Sequence, residues 1–143
     1  SLDGTARVWD TQTGLEAGKY ADHTGLVSAV AFAPNGKWVL SGDFAGTVAY
    51  WKAATGAEGW RVEKLGLVTA LAVDPNGAFV AVATDSALVL LNLSDGSELK
   101  RYGKFASPLS CVAVSPNGKW LAAGSDAGTI RVWKVGEEKA AFT

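Results

Sequence analysis

Methionine is absent from this 143-residue chain, cysteine occurs once and proline four times. With Cys111 alone, no disulfide can form within the chain. A lone thiol among apolar neighbours suits a reducing compartment, and the cytoplasm is the expected location. Cys111 itself reads as a buried structural thiol, not a nucleophile. An excess of either charge is also missing: 13 Lys and Arg oppose 14 Asp and Glu, for a net charge of −1. Binding many phosphates takes a stripe of Lys and Arg, and none exists here. Nucleic acid and an anionic membrane surface are therefore not expected partners. No apolar run approaches the roughly 20 residues that cross a bilayer. No basic segment leads into an apolar stretch at the start, so no secretory leader is expected. Low-complexity tracts are lacking too, the 17 glycines being scattered at turn-like places. Asn92-Leu93-Ser94 fits the N-glycosylation pattern, but so short a pattern arises by chance.

What is present is a repeat. Apolar residues make up 48% of the chain, enough for a buried core. Pro-Asn-Gly-Lys-Trp stands at 34–38 and again at 116–120, with Pro-Asn-Gly-Ala-Phe between them at 75–79, so both steps are 41 residues. A second landmark keeps the same pace, at 3–10, 45–52, 86–93 and 127–134. A period of about 40–45 residues is that of a four-stranded propeller blade. Within each period, short β-rich runs alternate with Gly, Asn, Pro and Asp, and no window of helical length holds a 3.6-residue pattern. Asn-Gly predicts hairpin turns, since such turns need residues that tolerate positive φ. The first strand of each period (27–32, 68–73, 109–114) is nearly continuous in apolar or small residues, as suits an inner strand covered on both faces. The fourth (58–63, 98–102, 137–141) is more charged, as suits an outer edge. The expected division is a half blade at 1–20 and blades at 21–63, 64–103 and 104–143. Trp9, Trp51 and Trp133 fall at matching positions and read as packing residues between blades.

These repeats resemble the WD-repeat family over essentially the whole chain. The family's closing motif stands intact at Asp3-Gly4-Thr5…Trp9-Asp10. Later copies are degraded: Lys52 follows Trp51, Lys134 follows Trp133, and Asn92-Leu93 replaces the third Trp-Asp. The counterparts of Asp3 are Ala45, Ser86 and Ala127. The family's Gly-His pair is met once, as Asp22-His23. The resemblance implies that His23 joins a hydrogen-bonded set with Ser41 and Trp51, and that Ala45 leaves the set without its carboxylate. It also implies an all-β propeller that serves, without catalysis and without a cofactor, as a scaffold for proteins or peptides. Carried over position by position, the contact face holds Leu2, Leu26, Ser28, Phe44, Leu67, Thr69, Asp85, Pro108, Ser110 and Asp126. Phe44 is either the anchor of that face or a cover for its own turn.

About three and a half blades do not close a ring of 4–8. The expectation is completion by self-association, a dimer above all, or by the rest of a longer chain. The alternative is an engineered or excised piece of a propeller with no native ligand. Catalytic chemistry finds little support. His23 and Cys111 lie on different blades, and one Cys with one His falls short of a zinc site. The stretch 124–129 lacks the Lys of a phosphate-binding loop and leads into a strand. Asp43, Asp85 and Asp126 sit near equivalent turns, where a ring of carboxylates would be the one route to an enzyme; solvated turn residues are the expectation.

Overall fold

A computed structural model describes residues 1–103 and 105–143; Lys104, the first residue of the expected last blade, lies outside them. The strands in chain order are β1 (Ala6–Trp9), β2 (Glu16–Tyr20), β3 (Val27–Phe32), β4 (Trp38–Asp43), β5 (Val48–Lys52), β6 (Glu58–Val62), β7 (Val68–Val73), β8 (Phe79–Thr84), β9 (Leu88–Asn92), β10 (Glu98–Tyr102), β11 (Leu109–Val114), β12 (Trp120–Ser125) and β13 (Ile130–Lys134). They form antiparallel sheets in chain order: β1–β2, β3–β6, β7–β10 and β11–β13. No helix among the described residues is long and apolar enough to cross a membrane.

The Pro-Asn-Gly segments turn the chain between the first two strands of the three later sheets, in four-residue loops. The Ala33 amide donates to the Trp38 carbonyl at 2.9 Å, and Gly36 takes the left-handed position with φ of 66°. Gly77 and Gly118 repeat it at 77° and 67°, a conformation that costs a side-chain-bearing residue far more. A second device recurs on the first strands. Pairing slips between Val27 and Ala29, between Val68 and Ala70, and between Leu109 and Cys111. At each slip a hydroxyl donates to the neighbouring strand: Ser28 to Gly42 O at 3.2 Å, Thr69 to Ala83 O at 3.1 Å, Ser110 to Gly124 O at 3.4 Å. These β-bulges twist the inner strands.

The sheets stack face to face in chain order, with an apolar layer in each interface. Ala6, Tyr20, Val39, Ala49 and Trp51 fill the first; Leu40, Val48, Val68, Val80, Val82 and Leu91 the second; Phe79, Leu88, Leu109, Leu121 and Trp133 the third. Among the described residues β7–β10 has a sheet of three or four strands on each face, and there β8 is buried from end to end, whereas β3–β6 has only the half sheet β1–β2 on its other face. On β3, Val30 and Phe32 are left 62% and 56% exposed. On β11, Cys111 is exposed as well, which corrects the expectation of a buried thiol. The physical reason is shared: an inner strand is buried only when another sheet lies on each side. Across the β3–β6 sheet, Trp38, Tyr50 and Trp60 stack in a ladder with centroids 4.6 and 5.3 Å apart. The Trp60 indole then donates to Leu93 O of the next sheet at 3.0 Å.

The expected fourth strand at Glu137–Ala141 does not form. In the complete sheets the closing loop is set by Lys52 with Ala57 or Asn92 with Ser97. After β13 Glu137 donates to Lys134 O at 3.0 Å as Thr55 does to Lys52 O, but no bond like Lys52 to Ala57 follows among the described residues, and the chain rejoins the ladder where Val132 bridges Phe142.

The sheets approach closely at Gly42, where an added Cβ would lie 2.5 Å from Val68 Cγ1. Gly42→Ala is expected to destabilise the fold by about 1–3 kcal/mol through overpacking. Gly103→Ala, which meets nothing within 4 Å, should stay within about 0.5 kcal/mol of the parent. Urea unfolding of both variants measures the difference.

Candidate functional site

His23 lies just ahead of β3, Ser41 and Asp43 on the same face of β4, and Trp51 on β5. In this region the described structure buries a chain of polar groups. The Trp51 indole donates to Ser41 Oγ at 3.0 Å, Ser41 Oγ lies 2.6 Å from His23 Nε2, and His23 Nδ1 lies 2.8 Å from Asp43 Oδ2. Asp43 also accepts the Thr47 amide at 2.8 Å and the Gly25 amide at 3.4 Å. Ser41 and Asp43 are wholly buried and His23 nearly so. Burial pushes the Asp43 carboxyl up, but the Thr47 amide, His23 and the Gly25 amide outweigh it and hold the group below its ordinary value. An ionised carboxylate only accepts, so His23 Nδ1 carries the proton it donates. Tyr20 closes the cluster, edge-on to His23 at 5.2 Å and stacked on Trp51 at 5.8 Å. Its hydroxyl donates to Glu58, and burial and that carboxylate push its pKa up to about 12.

This corrects two expectations at once. The set is not short of a carboxylate: Asp43 supplies it in place of Ala45. Nor is Asp43 a solvated turn residue. The signal was present in the alternation of β4, since residues i and i+2 share a face and Ser41-Gly42-Asp43 places both polar groups inward. Asp85 and Asp126 are exposed, the former accepting the Leu67 amide at 3.1 Å.

Asp43, His23 and Ser41 stand in the order of an acyl-transfer triad, but the geometry gives no route to such chemistry. Ser41 Oγ is sealed between His23 and the Trp51 indole, with no exposed surface for a substrate to approach. The next sheet shows what the cluster replaces. At the corresponding positions stand Val82, Thr84 and Leu91, all fully buried, with Thr84 bonding its own turn at Ala87. Val82 and Leu91 stand there as plain apolar packing in place of Ser41 and Trp51.

The expected contact-face residues gather at one end of the sheets. In the three later sheets the turn rests on the start of the first strand, Phe44 donating to Leu26 O, Asp85 to Leu67 O and Asp126 to Pro108 O at 3.0–3.1 Å, while Val27 donates across to Ser1 O of the half sheet at 3.2 Å. Leu2 is 80% exposed, Phe44 46%, Leu26 41% and Leu67 36%. Leu2 and Leu26 flank a cleft of about 350 Å³ floored by Gly4, His23 and Gly25. Ser28, Thr69 and Ser110 sit at the same end, where their hydroxyls are committed to the bulges. Of the three equivalent tryptophans, Trp51 and Trp133 are buried between sheets, while Trp9 is 56% exposed and packs no interface closed; it lacks a neighbouring sheet. Asp10 caps its own turn, accepting the Gln12 and Thr13 amides at 2.8 and 2.9 Å.

Antiparallel four-stranded sheets stacked in chain order, each keeping the same register, define part of a β-propeller. The WD domain, G-beta repeat family matches residues 15–52 and 96–134, together more than half of the chain, and the chain belongs to that family. Protein hir1 of Schizosaccharomyces pombe is 28% identical over 170 aligned positions, which cover 95% of this chain. The chain spans 18% of that relative's length.

Asp43→Ala, which strands His23 in the interior, is expected to cost about 3 kcal/mol in urea unfolding. Because the folded carboxyl titrates below its unfolded value of about 3.9, its contribution is complete above that pH and lost as pH falls through the folded value. Between pH 5 and pH 3 the parent should therefore lose stability more steeply than Asp43→Asn; parallel profiles would contradict the assignment.

Proposed function

We propose that the chain is a non-catalytic scaffold that binds proteins or peptides on the turn end of its sheets. The observation that supports this most is the row of exposed apolar side chains at that end, Leu2, Leu26, Phe44 and Leu67, on backbone held rigid by the turn-to-strand bonds. Exposed aromatic and aliphatic anchors on a fixed frame are what a binding hot spot needs. Thr69, Ser28 and Ser110 lie beside them with their hydroxyl protons given to backbone carbonyls, and Asp85, Pro108 and Asp126 extend the face toward the last sheet. Phe44 is the proposed anchor. No nucleic acid is involved, since no basic stripe accompanies these residues. The single exposed thiol suits a reducing compartment, and the cytoplasm is the proposed location.

The arc is completed either by self-association, with a dimer favoured, or by further blades of a longer chain. Val30 and Phe32 at one end, and Cys111 and Ile130 at the other, are exposed where the middle sheet is covered.

Two measurements test this reading. Peptides selected by phage display against the chain should lose about 2 kcal/mol of binding, roughly thirtyfold, in Phe44→Ala and nothing in Leu99→Ala on the outer strand β10. Selected peptides indifferent to Phe44, Leu26 and Leu67 would place the binding surface elsewhere. Light scattering on a sizing column should give a mass of two or more chains; a monomer at every concentration removes self-association.

A further inference from the structure

Between the β7–β10 and β11–β13 sheets, charge stands where the preceding interface is apolar. Lys100 pairs with Leu90 as Trp60 pairs with Tyr50, so Lys100 holds the place of Trp60. Arg131 pairs with Ala123 as Ala49 does with Ser41 and Val89 with Val82. Ala49 and Val89 are fully buried between sheets, whereas Arg131 is half-buried. Trp60 seals its interface by bonding Leu93 O. Lys100 and Arg131 instead line a cleft of about 480 Å³, within the roughly 300–1,000 Å³ of a small-ligand pocket.

Four of the chain's 13 Lys and Arg line that cleft, Lys100, Arg101, Arg131 and Lys139, against one carboxylate side chain, Glu138. Lys100 lies over the Tyr102 ring at 5.5 Å and gives one proton to Gly136 O at 2.7 Å. Arg131 lies over the Phe105 ring at 5.2 Å. Arg101 forks Glu98 at 2.6 and 3.0 Å and keeps further N–H donors. Tyr102 forms part of the wall, and its buried hydroxyl has no hydrogen-bond partner among the described residues; the Gly136 amide approaches it without bonding. Its counterpart Tyr20 gives the same proton to Glu58. A cleft lined by one sign of charge between low-dielectric walls concentrates counter-ions.

We propose that this cleft binds a phosphate monoester, carried by a phosphorylated serine or threonine of a partner polypeptide. Lys100 and Arg101 from one sheet and Arg131 from the next offer charge-assisted donors to the phosphate oxygens, with Lys139 adding a further positive charge. A dianion answers four cations better than a single carboxylate does. Glu98, Glu137 and Glu138 are interspersed in the same segments, and they repel an extended polyanion such as an anionic bilayer or a nucleic acid. A lone phosphate on a peptide avoids that repulsion. That the phosphate arrives on a polypeptide rests on the scaffold reading above; the phosphate site itself does not.

The test titrates inorganic phosphate, O-phospho-L-serine and phosphoserine peptides selected from a randomised library into the nitrogen-15-labelled full chain. All three should move the amides of 100–103 and 131–133, the selected peptides binding about tenfold or more tighter than O-phospho-L-serine. Lys100→Trp and Arg131→Val, which install the residues of the preceding interface, should each weaken binding about tenfold. Lys139→Ala, at an exposed position that leaves the packing alone, should weaken it severalfold, and Phe44→Ala should leave it unchanged. Unmoved amides at millimolar O-phospho-L-serine, or full binding by both Lys100→Trp and Lys139→Ala, overturn the site. Equal binding of unphosphorylated or Glu-substituted peptides overturns the phosphate. Vesicles of phosphatidylcholine with phosphatidylinositol phosphate, bound through Lys100 when no phosphopeptide is, overturn the polypeptide partner. Phosphopeptides that need Phe44 and not Lys100 overturn this site alone; peptides that need Lys100 when none needs Phe44 overturn the turn-end face alone.

Discussion

A β-sheet has two faces, and every feature of this chain follows from the need to cover both. One sheet of four strands, rich in Val, Leu and Ala on each side, has no stable existence in water. Stacked in a series, each sheet becomes the cover for the next. β7–β10 satisfies the requirement fully, and its second strand is buried at every residue. β3–β6 has only half a sheet on its second face and β11–β13 none among the described residues, and it is there that Val30, Phe32, Cys111 and Ile130 meet solvent. Burial in this molecule is a property of position in the series more than of residue type.

Polar burial follows the same logic. The Trp51–Ser41–His23–Asp43 chain is tolerated because every donor and acceptor along it is matched, and a half-matched set would cost more than an apolar one. The neighbouring sheet uses Val82, Thr84 and Leu91 in the same places. Side by side, the two show that a sheet of this kind packs with or without the Ser–His–Asp hydrogen bonds. What the hydrogen bonds add is a fixed approach of the segment before β3 to the turn after β4, since His23 and the Gly25 amide both bond Asp43.

The repeat, the turns and the all-β class were legible because they are written in local chemistry: a 41-residue step, Pro-Asn-Gly loops and alternating strands. The half sheet at the start was legible for the same reason. What could not be read depended on contacts between segments. Trp9 and Trp51 look alike in sequence, and only the presence or absence of a neighbouring sheet separates them. Cys111 looks buried because its neighbours are apolar, although β11 has no sheet beyond it. Matching Ala45 to Asp3 by the Gly-Thr that follows each concealed Asp43, two residues earlier, whose alternation with Ser41 was the better guide. The last strand was lost after Lys134, where the loop-closing bond of Lys52 with Ala57 and of Asn92 with Ser97 has no counterpart among the described residues, a difference that a residue-type pattern passes over.

The six tryptophans end up in contrasting surroundings, and this gives the molecule a set of built-in optical reporters. The ladder places Tyr50 4.6 Å from Trp38 and 5.3 Å from Trp60, close enough for neighbouring transitions to couple, and it spans β4, β5 and β6 of a single sheet. Trp51 and Trp133 sit dark and dry between sheets, Trp9 in the open. Near-ultraviolet dichroism therefore reads the integrity of the second sheet, while emission colour reads the interfaces. The order in which the series comes apart is visible without attaching a label.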